Sequence, residues 1–250
     1  MFKEYGELST LLYEATKPVG RSINGDIEYY IKELEGITNP ILEAGVGTGR
    51  MLIPLVKSGL KVDGVDISAE MLARCRLNME NHSASAKLYE QDLTRMSLPH
   101  KYGAIMMPTG SFCLLPKEQA GDVLASFYEH LAVGGKIVID IELPADFRKG
   151  ETNSYSTHLS GGTGILFTSY SEDIDWLAQR VRYIHKYEFL RNGEVQETEV
   201  SNFTLHWYGV QEFEMLLQKV GYSDIRYEVG YGVDEQSQLI TFTATKKTAV

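Results

Sequence analysis

The chain has 250 residues, of which 43% are hydrophobic and 10% aromatic, so it can close a sizeable core as one large α/β domain or two small ones. Its formal net charge of -10 argues against a protein that binds nucleic acid by neutralising many phosphates, because that affinity grows with the number of basic contacts. The two cysteines, Cys75 and Cys113, are too few for a disulfide framework, and we expect buried thiols in a reducing compartment.

Hydropathy and histidine spacing exclude two further classes. Residues 1–17 lack a basic start followed by an apolar run, and nowhere do eighteen apolar residues follow one another, so we expect a soluble, cytoplasmic protein without a membrane span. The six histidines are scattered, and no carboxylate pair stands at ligand spacing with them. We therefore expect no metal site.

Short apolar runs alternate with helix-sized segments between Pro40 and Leu143, and each run is typical of a buried strand. The runs are residues 41–44, 61–66, 86–90, 102–107 and 136–141. Strict alternation of strand and helix predicts a parallel sheet with right-handed crossovers, covered by helices on both faces. Ligands of such sheets bind at the carboxyl ends of the strands, so each loop after a strand is a candidate site.

Three apolar stripes at helical spacing, within residues 51–56, 71–79 and 123–131, predict the helices of this region. Ser68 precedes the second stripe as its expected N-cap, with Glu70 in the first turn. Pro116 is expected at the first position of the third helix, because its fixed φ suits that place.

After Pro144 the pattern changes to the two-residue period of antiparallel strands. Apolar residues alternate with polar ones over 181–189 and again over 195–207, with Arg-Asn-Gly at 191–193 between them, which predicts a β-hairpin. A three-residue loop would place the two apolar rows on one face and a two-residue loop on opposite faces, so we expect the longer loop.

The C-terminal part returns to the sheet. Residues 209–221 predict a helix ended by Gly221, followed by strands at 222–230 and 238–245. The expected fold is α/β, a doubly wound, mainly parallel seven-stranded sheet whose last strand is antiparallel, with an antiparallel β insertion.

The stretch ILEAGVGTGR, residues 41–50, follows the first strand with a turn that contains three glycines. A triphosphate-binding loop would need lysine and then serine or threonine after the last glycine, but Arg50 and Met51 stand there. A dinucleotide-binding turn needs a small residue at the position of Arg50. Both nucleotide classes are therefore disfavoured.

The spacing of Glu43, Gly45, Gly47 and Gly49 resembles the first motif of the class I S-adenosylmethionine-dependent methyltransferases. The resemblance continues in order with Asp66 after the second strand, with Asp92 in Glu-Gln-Asp-Leu after the third, and with the glycine turn of residues 131–139, where Val133 replaces the more usual proline. A glycine-lined helix N-terminus can also bind the donor's carboxylate through free backbone amides, and an acidic neighbourhood suits its sulfonium.

The resemblance implies S-adenosylmethionine as cofactor and a set of residues that bind it. Asp66 would accept hydrogen bonds from the ribose hydroxyls, and Asp92 would contact the adenine amino group or simply cap the next turn. Glu43 would either hold the glycine turn or bind the donor's amine. Arg50 could neutralise the donor's carboxylate, but we expect it on a solvated helix face. The other implied contacts are Tyr13, Ile67, Met71, Leu93 and Thr109, with the three glycines.

The resemblance covers most of the chain and implies a single methyltransferase domain over residues 1–250. Its segments would be an N-terminal helical lid (1–38), a donor-binding core (39–145), the antiparallel β insertion (146–208), and the last helix and strands (209–247). Tyr13 is the expected lid residue. The insertion is similar to what small-molecule N-methyltransferases, including those acting on amino sugars, place over the acceptor.

A small-molecule acceptor, methylated at nitrogen or oxygen, is therefore expected, with no nucleic acid and no membrane as partner. Phe112, Glu142 and Trp207 are the expected walls of its pocket. Residues 108–113 lack the Asn/Asp-Pro-Pro-aromatic signature of the amino methylases that act on flipped bases. His206 is the expected general base, with Tyr208, His158 and Glu142 as alternatives, although methyl transfer can proceed without one.

Two other functions stay open at this stage. The chain could bind the donor without transferring its methyl group, as a regulatory or scaffold module. It could also transfer a modified group from a donor variant, which would need an extra basic residue near Tyr13 or Phe112, such as Arg21.

Overall fold

The structure is a computed structural model that describes residues 6–247. The described chain divides into two compact units, one made of residues 6–18 with Pro144–His206, the other of Val19–Leu143 with residues 207–247. The prediction of a single domain stays a prediction.

The described residues form the following strands and helices. The strands are β1 (Ile41–Ala44), β2 (Val62–Asp66), β3 (Leu88–Glu90), β4 (Tyr102–Met107), β5 (Leu131–Glu142), β6 (Thr152–His158), β7 (Thr163–Asp175), β8 (Arg180–Arg191), β9 (Glu194–His206), β10 (Tyr222–Val229) and β11 (Leu239–Lys246). The helices are α1 (Glu7–Thr16), α2 (Asp26–Glu33), α3 (Leu52–Lys57), α4 (Ala69–Asn81), α5 (Ala120–His130) and α6 (Val210–Val220).

The larger unit is built on one seven-stranded sheet, in the order β10-β11-β5-β4-β1-β2-β3. The strands from β1 to β5 pair in parallel, and β11 pairs antiparallel with both β5 and β10. All four residues of β1 are buried at the centre of the sheet, which explains its unbroken hydrophobicity apart from Glu43. The predicted fold class is confirmed.

The first residues of two helices in this unit, α4 and α5, can be compared with the predictions. The Ser68 hydroxyl accepts a hydrogen bond from the N–H of Met71 at 3.2 Å, so the predicted N-cap of α4 is confirmed. The predicted start of α5 at Pro116 is wrong, because α5 begins at Ala120 after a short 3₁₀ turn. Pro116 has an extended ψ of 134°, which a helical residue cannot have.

The smaller unit contains a four-stranded antiparallel sheet in the order β6-β7-β8-β9. The predicted hairpin is the β8–β9 pair, and β6 and β7 are two strands that the sequence reading missed. Residues of β6 are polar and almost all exposed, so no apolar alternation marks that strand.

The turn of the β8–β9 hairpin corrects the predicted three-residue loop. Arg191 pairs with Glu194, and the two residues between them, Asn192 and Gly193, have positive φ values of 51° and 85°, as a type I′ turn requires. Phe203 and Leu205 of the second row still share the face of the first row, because a bulge displaces the register by one residue between Phe189 and Leu190. Val195, beyond the bulge, pairs with Leu190 instead.

Helix α1 packs on this sheet and belongs to the same unit. Leu8 and Leu12 are buried against Ile165 and Tyr187. The carboxylate of Glu199 accepts hydrogen bonds from the N–H groups of Leu8 (2.9 Å) and Ser9 (3.3 Å) at the start of the helix, where unpaired amides favour a negative charge.

Within residues 6–247, no helix is long and apolar enough to cross a membrane. The same residues contain no group of three or more histidine, cysteine, aspartate or glutamate side chains placed to hold a metal ion. Cys75 and Cys113 are both buried thiols, as predicted.

Candidate functional site

The glycine turn follows β1 at the carboxyl edge of the parallel strands. Gly47 has φ 54°, and a Cβ there would meet no atom within 4 Å, so the turn faces open space at this point. Gly49 has φ 82°, and a Cβ there would lie 2.7 Å from the sulfur of Cys75 in α4. The turn is therefore open on the side of Gly47 and closely packed on the side of Gly49.

Asp66 ties the end of β2 to this turn. Its Oδ2 accepts a hydrogen bond from the N–H of Gly47 at 2.8 Å, and its Oδ1 accepts one from Ser68 at 2.9 Å. Burial raises the pKa of Asp66, and these backbone hydrogen bonds lower it. The two other predicted contacts of this region lie nearby in sequence, Ile67 largely exposed and Met71 buried in α4.

Glu43 lies in β1 with a side chain that is only 3% exposed. Its Oε2 is buried and has no hydrogen-bond partner in the described part of the chain. Burial raises the pKa of Glu43 to about 8, while the charge of Arg50 lowers it. A buried carboxylate oxygen without a donor is costly, so this atom fits a site that a polar ligand completes.

Arg50 does not lie on a solvated helix face, and that prediction is wrong. The residue precedes α3 in the turn and is 3% exposed. Its Nη2 forms an ion pair with Oδ2 of Asp26 at 2.6 Å, and its Nη1 donates to the carbonyl of Arg21 at 2.9 Å. Asp26 also accepts hydrogen bonds from the N–H groups of Ile23 and Ile27, so this pair fixes the start of α2 to the glycine turn.

Asp92 is exposed after β3 and caps a 3₁₀ turn. Its Oδ1 accepts hydrogen bonds from the N–H (2.9 Å) and the hydroxyl (2.8 Å) of Thr94, and these hydrogen bonds lower the pKa of Asp92. The capping alternative is thus present in the structure. Contacts of Asp92 and the buried Leu93 with adenine stay predictions.

The loop after β4 begins with Pro108 and Thr109. Thr109 has φ 56°, and its N–H donates to Oδ2 of Asp140 at 2.6 Å. Further along, the Phe112 ring is fully buried, with its centroid 5.8 Å from that of Tyr208 and 5.2 Å from that of Phe213. In this structure the ring belongs to the core, and its role as a pocket wall stays a prediction.

The predicted acceptor residues of the larger unit differ in exposure. Glu142 is exposed at the end of β5, whereas Trp207 is buried and its carbonyl accepts a hydrogen bond from Lys117 at 3.3 Å. Tyr208 is 1% exposed, and burial raises its pKa well above the usual range. A phenol in that state is a poor base at neutral pH, which disfavours Tyr208 in that role.

The remaining predicted side chains lie in the smaller unit. Tyr13 is half-buried in α1 with Lys17 over its ring at 5.0 Å. His206 ends β9 opposite Arg180, and His158 is exposed at the end of β6. Their roles as lid and bases stay predictions.

An aromatic patch on the small sheet is formed by Tyr183, His185 and Phe203. The ring of His185 stacks on that of Phe203, with centroids 4.8 Å apart and planes 22° apart. Burial lowers the pKa of His185 to about 4. The imidazole is therefore neutral at physiological pH and acts as one more flat face of the patch.

Sequence reasoning missed two buried carboxylates, Asp26 and Asp140. Each is fully buried and hydrogen-bonded to residues far away in sequence. For Asp140 a signal existed, because a charged residue inside an apolar strand run must find partners.

Residues 41–135 match the family model for a methyltransferase domain. A protein of Geobacillus sp. (strain WCH70) that is named as a methyltransferase is 23% identical over 224 residues, which cover 82% of this chain and 84% of the relative.

Two solved structures share the fold over nearly the whole chain. A sugar N-methyltransferase from Streptoalloteichus sp. has a TM-score of 0.79 at 19% identity, covering 99% of this chain and 96% of the other. An amino pentose methyltransferase from Micromonospora echinaspora, solved with S-adenosylmethionine bound, has a TM-score of 0.73 at 17% identity, covering 99% and 100%.

Proposed function

We propose that this S-adenosylmethionine-dependent methyltransferase methylates an amine of a small molecule, with a hydroxyl as the alternative acceptor. The matched methyltransferase domain and the relative named as a methyltransferase support the predicted class of enzyme, and the solved structure with S-adenosylmethionine bound supports that cofactor. The identity of the acceptor is our proposal, and the residue roles below are part of it.

The donor site of this proposal lies at the carboxyl ends of β1 and β2. The buried, unpartnered Oε2 of Glu43 carries the assignment, because a donor's ammonium group would supply the missing hydrogen bond and the positive charge. Each Asp66 oxygen accepts one backbone hydrogen bond and has a second lone pair for a ribose hydroxyl. The open side of the turn at Gly47 gives the ligand room.

The donor supplies an activated methyl group on a sulfonium, so the protein need only align the nucleophile and exclude water. A neutral amine is nucleophilic without help from a base. This fits the candidates for a base in this chain: His158 is exposed, the phenol of Tyr208 is buried, and His206 lies at the end of a strand.

The acceptor class is supported by the two solved relatives whose names specify an amino pentose and a sugar nitrogen. An amino sugar is therefore the first acceptor to test.

The test is transfer of labelled methyl from S-adenosylmethionine to a panel of amino sugars, each beside its hydroxyl counterpart, with tRNA, DNA and protein extracts in parallel. We expect label in the amino sugars and none in their hydroxyl counterparts. Label mainly in macromolecules would contradict the acceptor class. Tight donor binding without any transfer would favour the donor-binding module instead.

A further inference from the structure

We propose that Asp140 is a positioning residue that holds the loop after β4 in the conformation needed for methyl transfer, an inference that rests on the proposed function. Asp140 lies near the end of β5, next to β4 on one side and β11 on the other. Its side chain is fully buried. It is therefore not a residue that an acceptor could touch.

The carboxylate of Asp140 collects hydrogen bonds from three segments of the larger unit. Oδ2 accepts from the N–H of Thr109 at 2.6 Å and from the hydroxyl of Tyr231 at 2.7 Å, and Oδ1 accepts from the hydroxyl of Thr241 at 2.7 Å. Burial raises the pKa of Asp140 to about 6, and these hydrogen bonds lower it. Ionisation of this carboxylate strengthens each of these hydrogen bonds.

The Asp140 carboxylate holds Thr109 in a backbone conformation that is unfavourable for threonine. Thr109 has φ 56° in the left-handed region, where a β-branched side chain crowds the backbone. The hydrogen bond to Asp140 offsets the energetic cost of this conformation, because the N–H of Thr109 points at the carboxylate only when φ is positive. Without Asp140, we expect the loop to relax towards negative φ.

The second partner of Oδ2 connects this loop to the glycine turn. Tyr231 also has a positive φ of 56°, and its ring packs against Tyr29 and Tyr30 of α2, with centroids 5.1 and 6.3 Å away. Helix α2 starts at Asp26, which is paired with Arg50 in the turn. The loop after β4 and the glycine turn are thus both anchored on α2, so the distance between donor and loop is fixed by buried contacts.

The loop matters for the reaction because it follows the strand next to β1 at the carboxyl edge, where ligands of such sheets bind. A misplaced loop would impair alignment more than donor binding, since Thr109 is an implied donor contact in the loop but Glu43 and Asp66 lie outside it, on β1 and β2. We therefore expect loss of Asp140 to lower kcat more than it raises the dissociation constant of the donor.

The experiment compares Asp140→Ala with Thr241→Val, which removes a hydrogen bond to Oδ1 without touching the loop. Amide hydrogen exchange of Thr109 is measured by NMR in the donor-free protein, with Ile139 of β5 as the internal reference. For Asp140→Ala we expect exchange at least tenfold faster at Thr109 but unchanged at Ile139, and a kcat at least tenfold lower. For Thr241→Val both quantities should stay within threefold of the wild type.

Two further variants separate positioning from general stability. Thr109→Gly in the Asp140→Ala background should restore kcat severalfold, because glycine adopts positive φ without help. Asp140→Asn should keep Thr109 protected, because its amide oxygen can accept from Thr109 and Tyr231 while its NH₂ donates to Thr241; this variant serves if Asp140→Ala does not fold.

Unchanged exchange at Thr109 in Asp140→Ala, or equal losses of kcat in Asp140→Ala and Thr241→Val, would overturn the proposal. If Asp140→Ala does not fold, faster amide exchange at Thr109 in Asp140→Asn than in the wild type would overturn the proposal. If the wild type methylates no acceptor, the proposed function fails, but the exchange rates still decide whether Asp140 holds the loop.

Discussion

The Oδ2 atom of Asp66 accepts a hydrogen bond from the backbone N–H of Gly47 at 2.8 Å. The end of β2 and the middle of the glycine turn are therefore held together before any ligand binds. Asp66 thus has two tasks in the proposed site, since it shapes the turn and can offer its remaining lone pairs to the ribose.

Replacement of Asp66 should weaken donor binding. We expect Asp66→Ala to cost roughly 1 to 3 kcal/mol of binding free energy, through lost charge-assisted hydrogen bonds and a loosened turn. Titration calorimetry with S-adenosylmethionine and its demethylated product measures this. Asp122→Ala, an exposed acid at the start of α5, is the matched control. Equal affinities in both variants, or tighter binding of NAD than of the donor, would contradict the site.

The buried Glu43 predicts a pH dependence of stability in the donor-free protein. Its pKa is raised to about 8 in the folded chain and is near its ordinary value in the unfolded chain, so between these values the folded state binds one more proton. Stability from this group is full below the ordinary pKa and is lost as the pH rises towards 8, by about 1.4 kcal/mol per pH unit.

Urea unfolding between pH 6.5 and 8 measures this effect. We expect the free energy of unfolding to fall by about 2 kcal/mol over that window in the wild type, and this fall should disappear in Glu43→Gln but persist in the exposed control Glu80→Gln. The donor's ammonium should favour the ionised carboxylate, so binding at pH 7 should release a proton, seen as a buffer-dependent heat. A flat stability profile in the wild type would contradict the raised pKa.

The buried pair of Arg50 and Asp26 predicts a large stability effect. Arg50→Met leaves the fully buried Asp26 carboxylate without its cation, so the free energy of unfolding should fall by about 3 to 5 kcal/mol in urea titrations. Asp26→Asn in the same chain should recover part of the loss, because the buried charge is then absent. Lys149→Met breaks an exposed pair with Asp173 and should change nothing measurable. If Arg50→Met changed the free energy of unfolding as little as Lys149→Met, the pair of Arg50 and Asp26 would not stabilise the fold.

Local sequence signals predicted the parts of the fold that local chemistry determines. The glycine turn, the N-cap Ser68 and the parallel pairing of the first strands follow from neighbouring residues or from the alternation of elements. The pairing of Arg50 with Asp26 joins residues 24 positions apart, and that of Asp140 with Tyr231 spans 91 positions. No periodicity in the chain encodes such contacts, so the sequence offered no partner for either carboxylate.

The β8–β9 hairpin shows a different limit. The alternation of apolar residues correctly indicated that Tyr183 and Phe203 share a face, and they are paired in the structure. The loop length was wrong because a two-residue turn combined with a one-residue bulge gives the same facing as a longer loop. Side-chain alternation alone cannot distinguish these two solutions.

The chemistry of the acceptor predicts how the rate of transfer depends on pH. If a neutral amine attacks the methyl group directly, kcat/KM should rise with pH until the acceptor's own pKa is reached and then level off. Two amino sugars whose amines differ in pKa should therefore give inflections that differ by the same amount, and His206→Ala should leave both in place. An inflection that is common to both acceptors and absent in His206→Ala would instead make His206 the general base. A hydroxyl acceptor would need such a base, because an alcohol is a weak nucleophile until its proton is removed, so the same measurement separates transfer to nitrogen from transfer to oxygen.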